Sequence, residues 1–70
     1  MIPKFHNSQE AINFGILATE EDREALRERR ESFIASATIA NLEGRKQTTH
    51  ELLCLAQFDR EALEAQSTLA

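Results

Sequence analysis

Leu55, Phe58, Ala62, Ala65 and Leu69 recur at spacings of three, four, three and four residues. That rhythm is the seam of one α-helix lying along another, and a strand, whose faces alternate every second residue, cannot carry it. Leu52, Ala56 and Leu63 widen the seam to an arc of roughly 200°, while Gln57, Arg60, Glu61 and Glu64 fall on the wet side and Leu53 lies off the arc. Thr48-Thr49-His50-Glu51 reads as a capping box, so the helix is predicted to start at Thr49 and run to about Gln66.

Two further helices are predicted upstream. Thr19, followed by Glu20, Glu21 and Asp22, starts a long one, because carboxylates in the first turn suit the positive end of the helix dipole. It runs to Leu42 or Glu43 and stops at Gly44. Its apolar positions fall on two sides: Leu26, Phe33, Ala37 and Ala40 at spacings of seven, four and three, with Ala35, Ile39 and Leu42 roughly opposite. A short first helix, about Ser8 to Phe14, is capped by Asn7 with Glu10 in the reciprocal position and is predicted to stop at Gly15.

Composition agrees with helix. Ten Ala and eight Leu dominate the apolar set, and Val, Tyr and Trp are absent. The chain is therefore read as all-α: an antiparallel helical hairpin (about 19–43 and 49–66) with a short N-terminal helix (about 8–14), in one small domain, 1–70. At 70 residues a two-helix hairpin with alanine seams buries too little apolar area to stand alone. The first helix must complete a three-helix core, or two chains must pair into a four-helix bundle. The two-sided second helix and the wide arc of the third favour the dimer.

Charge and cysteine usage narrow the function classes. Net charge −4 opposes nonspecific attraction to nucleic acid or anionic lipid. No apolar run approaches the ~20 residues of a membrane span, the first residues lack the apolar stretch of a secretory signal, and a lone Cys54 fits a reducing, cytoplasmic setting. Ten of the twenty charges lie between Glu20 and Glu31, with Glu20–Arg23, Glu24–Arg27 and Arg27–Glu31 at helical pairing distance. Arg27, Arg29 and Arg30, with Arg45 and Lys46, are the basic clusters; Glu24, Glu28 and Glu31 interleave the first of them, so nucleic acid is not the expected partner.

Few residues suggest chemistry. His50 and Cys54 stand four apart, a spacing that suits two metal ligands, but a closed site needs four. The simpler expectation places His50 at an exposed helix start and Cys54 at the core edge. Cys54 also lacks an obvious base or oxyanion donors. No cofactor or metal is expected. Asp59 falls by angle inside the apolar arc: it either pairs with an arginine of the second helix, fixing register, or sits near a gap with access to water.

One stretch suggests a partner. Ile39-Ala40-Asn41-Leu42-Glu43-Gly44 resembles the inhibitory helix of antitoxins that silence Fic-domain AMP-transferases. Their pattern is Ser or Thr, three residues, then Glu and Gly or Asn; here Glu43 and Gly44 match, while the first position is Ile39 with Thr38 one residue early. The resemblance implies that Glu43 would pair with an arginine of the enzyme and obstruct ATP. The reading from the residues themselves is a non-catalytic module that binds another protein or forms a homodimer. Ala35, Ile39, Leu42, Glu43 and Leu53 are its candidate partner-binding residues; nucleic-acid binding stands as the other alternative.

Overall fold

The computed structural model describes residues 2–69, with side chains over 2–65. The chain forms three helices, α1 (Ser8–Leu17), α2 (Glu20–Leu42) and α3 (Lys46–Leu69), packed as an all-α three-helix fold. The three-helix core thus forms within one chain. α3 is the shared partner, carrying the main packing with both α2 and α1, so its wide apolar arc is accounted for by two neighbours on adjoining sides. The last expected seam position, Leu69, has its side chain outside the described residues.

The helix starts follow local chemistry. The Asn7 side chain accepts the Glu10 N–H at 2.9 Å. The return bond lands one residue early, because the Glu10 carboxylate accepts the His6 N–H at 3.1 Å. At Thr19 the box is reciprocal: its hydroxyl accepts the Asp22 N–H at 3.1 Å and Asp22 accepts the Thr19 N–H at 3.3 Å.

Three predicted boundaries are corrected, one of them the end of α3, which runs past Gln66 to Leu69. α1 runs through Gly15 to Leu17, and Gly15 is a close-approach residue, not a stop. A Cβ built there would stand 2.8 Å from the Ala62 carbonyl carbon and 2.9 Å from its Cα, and nearer still to the oxygen. Only glycine lets α1 lie this close to α3. α3 begins three residues before Thr49. Gly44, at φ 78°, closes α2 with the paired bonds of a Schellman turn, Arg45 N–H to Ala40 C=O at 2.9 Å and Gly44 N–H to Asn41 C=O at 3.1 Å. Arg45 is thereby fixed, and its carbonyl accepts the Thr49 N–H at 2.9 Å, so the next helix starts at once. Thr49 lies inside it, its hydroxyl donating back to the Arg45 carbonyl at 2.8 Å.

The bulky core sits at one end. Phe5, Ala11, Leu26 and Ala62 are buried together, with Ile2, Phe14, Phe58 and Leu63 packed around them. Phe5 and Phe14 meet with ring centroids 5.4 Å apart. α1, with ten residues, is about 15 Å long, against about 35 Å for the 23 residues of α2. It therefore covers only the half of the hairpin remote from the loop. Towards the loop the buried residues of α2 and α3 are the small Ala37, Ala40 and Ala56, with Leu52 and Leu55 half-buried beside them.

Candidate protein-binding surface

A buried ion pair fixes the frame on which the surface residues ride. Asp59 is 1% exposed. Arg29 meets it through two bonds, Nε to Oδ2 at 2.9 Å and Nη2 to Oδ1 at 2.6 Å, the fork geometry in which guanidinium and carboxylate fit best. The third arm, Nη1, donates to the Ile2 carbonyl at 2.9 Å. The guanidinium carbon also lies 5.4 Å from the Phe5 ring centre and 5.6 Å from that of Phe33, within cation–π range. One side chain thus joins α2, α3 and the segment before α1, and the register reading of Asp59 holds.

The identity of the partner arginine was missed from sequence, although a signal existed. Between Leu26 and Phe33 the apolar row has a gap of seven, and Arg29 fills it at the helical spacing. Arg29 therefore belongs to the interior and not to a surface basic cluster with Arg27 and Arg30.

The expected pairing of surface charges also changes. Arg23 and Arg27 both turn to Glu20, at 3.6 and 3.4 Å. Glu24 and Glu31 thus make no ion pair with Arg27, and neither they nor Glu28 makes one with any described residue. Arg60 pairs with Glu64 at 3.2 Å. Arg23, Arg27 and Arg30 of α2 and Arg60, Leu63 and Glu64 of α3 line an open groove of about 540 Å³.

Of the candidate partner-binding residues, Ala35, Ile39 and Leu42 form one exposed row on α2 at spacings of four and three, opposite its buried Ala37 and Ala40. Ile39 is 58% and Leu42 82% exposed. Leu53, 48% exposed, does not join this row; it shares an α3 row with Gln57, Arg60 and Glu64, at spacings of four, three and four. Glu43 is the exposed C-cap of α2, its carboxylate 3.5 Å from Arg45 Nε. Ile34, at the end of the arginine row, is a further exposed apolar residue that the sequence reading did not single out.

His50 and Cys54 do meet, Nε2 to Sγ at 3.8 Å. Cys54 is exposed and not at the core edge, because α3 turns that side away from both neighbours. Among the described residues no third His, Cys, Asp or Glu joins them into a metal-binding group. Nor is any helix among those residues long and apolar enough to cross a membrane.

Searches of protein-family models, curated proteins and solved structures find no match.

Proposed function

We propose that the protein is a non-catalytic protein-binding module, and that the loop half of the α2–α3 hairpin is its docking surface. The observation that carries this reading is the exposed apolar row on the outer face of α2. In the loop half Ala35, Ile39 and Leu42 stand in water, while the buried residues behind them are the small Ala37 and Ala40; nearer the start of the helix the same face carries Glu24, Glu28 and Glu31. Small seams contribute little burial, so this half gains most from a further helix laid on Ala35, Ile39 and Leu42.

Hydrogen exchange on the dilute monomer tests the reading. Amides between about residue 34 and residue 54 should exchange well before those around Leu26, at opening free energies several-fold lower. Equal protection of both halves would mean that the hairpin needs no further layer, and the docking surface would lose its basis.

The stretch Ile39–Gly44 supports a second, narrower reading, because Glu43 faces solvent at a helix end with only a 3.5 Å contact to Arg45. In that case the chain should inhibit AMP transfer by a Fic-domain enzyme and Glu43→Gly should relieve the inhibition. Activity untouched by the parent protein would discard it.

A further inference from the structure

The outer face of α2 changes character along its length. Glu24, Glu28 and Glu31 stand at spacings of four and three and make no ion pair among the described residues. Like charges so placed repel each other along a helix. Continuing the same face come Ala35, Ile39 and Leu42, exposed and apolar. The face is therefore an acidic ridge that ends in an apolar tip.

The groove beside it has the opposite character. Arg23, Arg27 and Arg30 line one wall, also at spacings of four and three, and Arg60 stands on the other. Four guanidinium groups are opposed there by two carboxylates, Glu20 and Glu64. Arg30 has no ion-pair partner among the described residues, and the Arg23 Nε is closed off from solvent with no acceptor. Following the two rows towards the loop, Ile34 comes next on α2, while on α3 the exposed Gln57 comes first and then, seven residues before Arg60, Leu53. The α2 wall of the groove is basic and then apolar, in the same order and on the same spacing as the ridge, and Leu53 adds a second apolar residue at that end.

We propose that the groove of one copy receives the α2 ridge of a second copy, with the two α2 helices parallel. Glu24, Glu28 and Glu31 then face Arg23, Arg27 and Arg30, and the start of the apolar tip, Ala35 followed by Ile39, covers Ile34 and Leu53. This inference rests on the docking surface proposed above and names its partner. The argument is charge complementarity: a chain of net charge −4 concentrates surplus positive charge, four guanidinium groups against two carboxylates, in one groove and unpaired negative charge on a ridge of matching pitch. Groove and ridge are different surfaces, so the contact is head-to-tail and extends to a ring or an open chain instead of closing as a two-fold dimer.

Light scattering on the full chain, at about 20 mM and about 500 mM salt, tests the proposal. Mass should rise with concentration at low salt and fall to the monomer at high salt. Arg30→Glu and Glu31→Arg should each weaken association about tenfold or more, by setting like charges opposite one another. An equimolar mixture of the two variants should associate again, because each supplies the charge that the other's altered surface now requires. Glu31 is exposed and Arg30 is half-buried with no ion pair among the described residues to lose, so unchanged melting by circular dichroism confirms that the variants fold.

A strict monomer at low salt and high concentration would overturn the proposal, as would a mixture that fails to recover. Association abolished by Leu42→Ser yet indifferent to both charge reversals would overturn the groove while leaving the apolar docking surface standing. Binding of a short single-stranded RNA that Arg30→Glu abolishes, without self-association, would assign the groove to nucleic acid and likewise overturn it.

Discussion

Asp59→Ala is the sharpest test of the fold, because one substitution leaves a guanidinium stranded. Arg29 is only 20% exposed. It spends two of its arms on Asp59 and one on the Ile2 carbonyl. Removing the carboxylate leaves two donors and a full positive charge facing Phe5 and Phe33. Breaking a buried pair from one side costs about 3–5 kcal/mol. A domain of 70 residues has on the order of 3.5–10 kcal/mol of stability in total. The variant should therefore be unfolded or close to it at room temperature, as urea titration followed at 222 nm would record.

The companion experiment replaces both partners, Arg29→Met with Asp59→Leu. With no charge left to desolvate, stability should return to within about 1 kcal/mol of the parent, and the double-mutant coupling should be large. A loss of under about 1 kcal/mol for Asp59→Ala, as for a pair at the surface, would refute the reasoning. It would mean that water reaches Arg29.

Gly15→Ala should destabilise by about 1–3 kcal/mol despite the ~1 kcal/mol that alanine gains in a helix interior, since the new methyl meets the Ala62 backbone; thermal melting decides the sign. Gly44→Ala meets no atom within 4 Å, so its cost is that of the left-handed backbone alone, about 1–2 kcal/mol in a urea titration. Leu26→Ala, at a site 0% exposed, should cost about 3–5 kcal/mol. Phe58→Ala, read from sequence alone, would cost as much; half-buried at the margin of the core, it should cost only about 2 kcal/mol, and a reversed order of these two would show the core misplaced.

Much of this architecture was readable before any coordinates because the signals are local. Thr19 with Asp22, Asn7 with Glu10, and Gly44 each act within a single turn of chain, and the heptad-like rhythm after Leu52 needs only the helical period. The errors fall where a residue's role is set by something distant. Gly15 looks like a terminator because left-handed and close-packed glycines are the same letter; the Ala62 backbone that demands it lies 47 positions away. Thr48-Thr49-His50-Glu51 has the letters of a cap, but the closure of α2 at Gly44 had already placed Arg45 to begin the next helix. Asp59 declared its burial by angle, while its partner could be chosen from three neighbouring arginines only by noticing the vacancy between Leu26 and Phe33. The groove was least legible of all, since it combines Arg60 with residues 30 or more positions earlier.

The hold of Arg29 on the Ile2 carbonyl and the Phe5 ring bears on the sequence in which the parts assemble. α2 and α3 are joined by three residues and can zip together from the turn, whereas residues 2–5 must come in from far along the chain. Until they arrive, the guanidinium and Asp59 meet in water, where their attraction is feeble. The N-terminal segment is what makes the bond strong, by shutting the solvent out. A chain clipped just before α1 should retain its hairpin in outline yet flicker open at the Asp59 end, with the first few residues acting as the latch.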